Sequence, residues 1–184
     1  MRLFAALPLP SATVDAIAGL QAEWRGAGWP LRWVRPASLH VTLRFFGEVA
    51  AEVAEALGRM LDEAARGTGL LVLEPVALRP FPAGARARLV WLELAAAPAL
   101  ELLAHRVERG SAALGLPPAR EQFRPHVTLA RVAREARLPR DAADRIAGAA
   151  LPEVFSVDAL HLMESHLGSG PPRYDVRHVS PLAA

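Results

Sequence analysis

Ser38-Leu39-His40-Val41-Thr42-Leu43-Arg44-Phe45-Phe46 and Pro125-His126-Val127-Thr128-Leu129-Ala130-Arg131-Val132 carry the same tetrapeptide, His-Val-Thr-Leu. The chain has only six histidines and four threonines. Two histidines followed by threonine at the same offset would arise roughly once in a hundred shuffles of this composition. Short apolar runs bounded by Pro or Gly read as strands. On a strand, alternate side chains share a face. His40 and Thr42 therefore point one way while Val41 and Leu43 enter a core, and His126 and Thr128 do the same in the second copy. A single pair of this kind reads as a solvated sheet face with Thr chosen for β-propensity. Two copies read as two imidazole–hydroxyl pairs.

Composition narrows the chemistry. All 21 basic residues are arginine, and the chain has no lysine, cysteine or asparagine. Thiolate nucleophiles, disulfides and Cys-metal sites are excluded. So are a Schiff base, a lysine–nucleotide intermediate and a Walker A lysine. A net charge of +2 does not by itself announce nucleic acid, although arginine clusters can still grip phosphate bidentately. No apolar run reaches the length of a membrane span. The opening Met1-Arg2-Leu3-Phe4-Ala5-Ala6-Leu7-Pro8-Leu9-Pro10 is short and interrupted by prolines. It reads as a first strand and turn rather than a signal peptide, and the protein as cytoplasmic and without membrane partners.

Outward from the two motifs, strands are expected at 2–7, 70–78, 87–94, 155–167 and 173–179. Helices are expected at 11–26, 51–66, 98–114 and 139–149, the first capped by Ser11 or Thr13. Trp29 to Pro36 reads as an extended link, and Gly168-Ser169-Gly170-Pro171-Pro172 as a loop. The order is β-α-β-α-β-β-α-β-α-β-β over one domain, 1–184. The fold class is α+β: two pseudo-symmetric lobes of antiparallel-rich sheet with outer helices, one motif strand to each half, and an active-site cleft between them.

Two imidazoles with an unperturbed pKa of about 6.5 can hold one proton between them near neutrality. Such a pair suits an in-line reaction that needs a base on one side and an acid on the other, and phosphoryl transfer is of this kind. The Thr42 and Thr128 hydroxyls would meet the non-bridging oxygens. Arg44 shares the face of His40 by strict alternation. Arg131 does not share that of His126, and needs a bulge or the strand end to turn it inward. A zinc site built from His40, His126 and either His161 or His166 is the rival. No carboxylate stands in the required pattern beside either motif, so no metal and no cofactor are expected. His105 reads as an exposed helix residue; His161, His166 and His178 as structural or solvated residues that could line the cleft. Trp24, Trp29 and Trp91 read as packing, with Trp33 as the best base-stacking candidate.

Trp33-Val34-Arg35-Pro36-Ala37-Ser38-Leu39-His40-Val41-Thr42-Leu43-Arg44-Phe45-Phe46-Gly47 resembles the first signature of the two-histidine phosphoesterases, and most closely their RNA 2′,3′-cyclic phosphodiesterase (2′-5′ RNA ligase) branch. Phe123-Arg124-Pro125-His126-Val127-Thr128-Leu129-Ala130-Arg131 is similar to the second signature. Met1 to Ala6, Phe81-Pro82, Leu160 to Ser165 and Tyr174 fit as well. Phe46 stands where Leu is more usual and Met163 where an aromatic is common. The resemblance implies that His40 is the general acid for the leaving 3′-oxygen and His126 the general base for water. Thr42 and Thr128 hold phosphate, and the product is a 2′-phosphomonoester at an RNA end. The two motifs are too alike for sequence to assign acid and base. Any ligation would be an ATP-independent reversal, since no lysine adduct can form. A monomer acting on RNA ends or cyclic nucleotides is the leading reading. The alternatives are a nucleotide-binding module without turnover, and the same chemistry on a cyclic ADP-ribose phosphate or a 2′-5′ oligonucleotide.

Overall fold

The computed structural model describes residues 1–166 and 172–182, so the expected loop at 168–172 lies, but for Pro172, outside the described residues. Among the described residues, ten strands and four helices follow in chain order: β1 (Arg2–Pro8), α1 (Ser11–Arg25), β2 (Leu31–Trp33), β3 (His40–Glu48), α2 (Ala51–Ala65), β4 (Leu71–Leu73), β5 (Pro75–Phe81), β6 (Leu89–Leu94), α3 (Pro98–Ala113), β7 (His126–Val132), α4 (Arg140–Ala147), β8 (Phe155–Val157), β9 (Ala159–His166) and β10 (Arg173–Pro181). The main sheet runs β10-β9-β1-β3-β7-β6-β5, and β2 also pairs with β7; β4 and β8 form a separate ribbon. All the pairings of the main sheet are antiparallel.

The sheet is two four-stranded halves. β3 and β7 meet through one residue pair, Val41 with Val127, the second residue of each motif. Both valines are fully buried. Because the pairing is antiparallel, counting outward from it sets His40 across from Thr128 and Thr42 across from His126. Beyond it β3 and β7 share no further pair, and the face between the two halves that carries His40 and His126 is the cleft face.

Helices cover the opposite face of both halves. α2 packs on β9 and β10 and against α3, α3 lies on β3, and α4 lies on β5. α1 crosses to the β7 half, where the Gln21 amide donates to the carbonyls of Val34 (2.9 Å) and Leu129 (3.0 Å). The lobes are therefore interleaved rather than being the two halves of the sequence. α1, from the first half, serves the second motif strand, and α3, from the second half, serves the first. The buried stripe of α1 is Thr13, Ile17, Gln21 and Trp24, at helical spacing. Two of these are polar, so an apolar pattern alone finds only part of the face.

Three local expectations are corrected. Neither Ser11 nor Thr13 caps α1: Pro10 holds the extended position before the helix and no side chain bonds there. Thr13 instead is buried. The link at 29–36 contains strand β2, too short to show a period. Trp33 packs against Trp24, ring centroids 6.0 Å apart, on the helix side of the sheet, so it is no base-stacking platform.

Gln21 is fully buried and gives the Val34 carbonyl a side-chain donor. Gln21→Leu keeps the volume and strands that carbonyl, at a cost of about 1–3 kcal/mol. Urea unfolding should show the loss as a lower midpoint with an unchanged m-value.

Candidate active site

Both motif strands begin with the expected alternation: His40 and Thr42 are partly buried on the cleft face while Val41 and Leu43 are buried, and His126 to Leu129 repeat the pattern. Beyond that point the alternation breaks identically in both. Ala5 pairs with Arg44 and Ala6 with Thr42, which leaves Leu43 as an extra residue. Val90 pairs with Ala130 and Trp91 with Thr128, which leaves Leu129 extra. Each is a β-bulge, and a bulge flips every later side chain to the other face.

The bulges exchange the two arginines. Arg44 turns into the helix side, only 4% exposed. It forms an ion pair with Glu108 of α3 and donates to the Pro117 carbonyl. The expectation that Arg44 meets phosphate is thereby corrected: it anchors α3. Arg131 turns onto the cleft face, close enough to His40 that its charge adds to burial in lowering that imidazole, and close enough to Tyr174 to oppose the rise that burial causes in that phenol. The corresponding residue on β3 is Phe45, 65% exposed. It packs against Phe4, ring centroids 5.6 Å apart. Phe45 is the residue that alternation missed; the matched break in both motif copies is visible only in the strand register.

Each imidazole is held in the same way. His40 Nδ1 lies 2.8 Å from the Ser38 carbonyl and His126 Nδ1 lies 2.7 Å from the Arg124 carbonyl. A carbonyl only accepts, so Nδ1 carries the proton and the neutral ring presents a free lone pair at Nε2. His40 rests against Phe4 (5.0 Å) and edge-on against Tyr174 (5.4 Å). His126 stacks on Trp91 at 3.8 Å, which stacks on Phe81 at 3.7 Å. The aromatic floor desolvates both rings. Burial pushes His40 down from 6.5 to about 4, against the Ser38 carbonyl and with help from His126 and Arg131. Burial also lowers His126, but the Arg124 carbonyl, Glu121 and Glu93 oppose the shift. The surroundings of the two imidazoles thus differ: two carboxylates oppose the effect of burial at His126, whereas His126 and Arg131 add to it at His40.

Of the other histidines, His161 lies on the cleft face, opposite Ala6. His166 pairs with Asp175 at 2.9 Å. His178 lies against Asp62 at 2.7 Å, joining β10 to α2. His105 is exposed on α3. Among the described residues, no three His, Cys, Asp or Glu side chains come together as a metal cluster. None of the described helices is long and apolar enough to cross a membrane.

The family model of the 2′-5′ RNA ligase superfamily matches residues 9–169. The chain belongs to this superfamily. An RNA 2′,3′-cyclic phosphodiesterase of Aeropyrum pernix is 35% identical over 131 residues, covering 68% of this chain and 71% of that protein. A Thermus thermophilus protein of known structure matches 99% of this chain and 98% of its own with a TM-score of 0.84 at 26% identity. Escherichia coli LigT, solved with 3′-AMP, matches 100% of this chain and 98% of its own with a TM-score of 0.78 at 26% identity. The α+β architecture with two lobes is therefore that of the 2′-5′ RNA ligase superfamily.

The lowered histidines can be checked directly. In the ligand-free protein, NMR titration should place His40 near pH 4 and His126 below 6.5. Inorganic phosphate should move both upward, since an anion favours imidazolium. Stability is linked to the same shift. Between pH 6.5 and 4 the unfolded chain binds more protons at His40 than the folded one, so stability falls as the pH drops through that window.

Proposed function

We propose that this protein hydrolyses RNA 2′,3′-cyclic phosphate ends to 2′-phosphomonoesters with a His40/His126 acid–base pair and without a metal. One observation carries the reading: the Val41–Val127 joint sets two Nδ1-anchored imidazoles, each with no described partner at Nε2, on one face of the sheet. The named activity of the Aeropyrum relative and the 3′-AMP held by LigT support the substrate class.

The cyclic phosphate lies over the joint. His126 Nε2 takes a proton from water as its oxygen bonds to phosphorus. The bond from phosphorus to O3′ breaks, and His40 Nε2–H protonates O3′. His126 ends protonated and His40 neutral, and exchange with solvent resets the pair. These roles are those the family resemblance implies, and the charges around each ring support them. Glu93 and Glu121 favour a proton on His126, which suits a base. His40 holds a proton weakly, which suits an acid. Burial disfavours a proton on His40 in the protein alone. The substrate anion stabilises it.

The Thr42 and Thr128 hydroxyls donate to the non-bridging oxygens, and Arg131 neutralises their charge in the transition state. Phe45 offers an exposed apolar face for the terminal base. Acid, base and positive charge are all supplied by side chains, so no metal ion is needed. With a 5′-hydroxyl in place of water as nucleophile, the same opening of the cyclic phosphate at the P–O3′ bond gives a 2′-5′ linkage without ATP.

His40→Ala and His126→Ala should each lower kcat on a cyclic-phosphate-ended RNA by about 10²–10⁴-fold, while EDTA leaves wild-type turnover intact. Full activity in either variant would sink the proposal. Activity needs one proton shared by the pair, so kcat/KM should be bell-shaped. Both histidines are lowered in the free protein, so the maximum should lie on the acid side of pH 6.5.

A further inference from the structure

β2 contributes three pairs to the edge of β7: Leu31 with Val132, Arg32 with Arg131, and Trp33 with Ala130. The outer pairs face the helices. Ala130 and Val132 are buried, and Trp33 and Leu31 pack against the core. The middle pair therefore faces the cleft, and Arg32 stands directly across from Arg131 on the same side. Directly opposed residues of an antiparallel pair have Cβ atoms about 4.5–5.5 Å apart, and like charges there are destabilising.

No described residue of the free protein relieves this. Among the described residues, the arginine ion pairs are made by Arg44, Arg59, Arg66, Arg79, Arg173 and Arg177, not by Arg32 or Arg131. Neither donates a side-chain hydrogen bond to a described residue. Two adjacent guanidiniums with no counter-charge among the described residues form an anion clamp in waiting.

Arg131 leans inward, where its charge is felt at His40 and Tyr174. Arg32 is exposed and lies beside it on β2, on the edge of β7 that β3 leaves after the joint. A cyclic mononucleotide brings one phosphate, which Arg131 meets. An RNA end brings a second, one nucleotide upstream.

We propose that Arg32 binds the phosphodiester joining the terminal cyclic-phosphate nucleotide to the rest of the RNA, and so makes the protein prefer polymer ends to free cyclic mononucleotides. The inference rests on the reaction proposed above. β2 is a sheet edge, so a strand leaving over Arg32 meets no further described strand of the fold.

The test compares a tetranucleotide ended in a 2′,3′-cyclic phosphate with 2′,3′-cyclic AMP. In Arg32→Ala the ratio of their kcat/KM values should fall about tenfold, and Arg32→Lys should recover most of it. The slope of log affinity against log salt for the tetranucleotide should shrink by about 0.7, the loss of one phosphate contact to a single strand. The melting temperature should not fall, because the change removes a like-charge pair. The same slope is read by anisotropy on a fluorescent tetranucleotide ended in a 2′-phosphate. If the wild type hydrolyses neither substrate, the catalytic reading fails while binding still decides the role of Arg32. An unchanged kcat/KM ratio, or a binding slope that Arg32→Ala leaves alone, overturns the proposal.

Discussion

A single backbone pair, Val41 with Val127, is the constraint on which the rest of this molecule depends. It joins two four-stranded half-sheets that pair nowhere else along β3 and β7. A longer ladder would continue the sheet flat and close the cleft; no ladder would let the motifs drift apart. With one pair, the buried valines face the core and their flanking His and Thr residues are thrown to the far side. The pair does not hold the lobes by itself. Below it lie Leu39, Leu43 and Leu129, and the Gln21 amide ties the link after β2 to β7 through Val34 and Leu129.

The near-identity of the two motifs is turned into difference by their surroundings. Both imidazoles use the same tether, a carbonyl two residues upstream. One rests on Phe4 and Tyr174 with an arginine nearby; the other stacks on Trp91 with two glutamates nearby. Where β3 offers Phe45, β7 offers Arg131. The pseudo-symmetric frame thus carries an apolar wall on one side and a cationic wall on the other. That is the asymmetry a nucleotide has, with its base at one end and its phosphate at the other.

Much of this was legible in the sequence. The repeat of scarce residues found both strands and the outward face of each imidazole and hydroxyl. Helix periodicity found all four helices to within a few residues. What the sequence hid was register. A bulge changes no local composition, so Arg44 and Arg131 exchanged faces without a visible sign. β2 was too short to show a period. Gln21 and Thr13 on a buried helix stripe break the apolar pattern because they are polar residues on a core face. Interleaving was hidden for a related reason: periodicity reports which face of α1 is buried, not which sheet lies beneath it.

The position of β1 in the sheet has a consequence for how the chain comes into being. β1 is made before either of its neighbours, β3 on one side and β9 on the other, and β9 begins only at Ala159. On the ribosome, one edge of β1 therefore waits unpaired through most of synthesis, with its donors and acceptors open to any passing strand. The run Leu3-Phe4-Ala5-Ala6-Leu7 offers no charge to discourage such pairing. Such distant pairings make folding slow, and the nascent chain rather than the finished protein is its most aggregation-prone form.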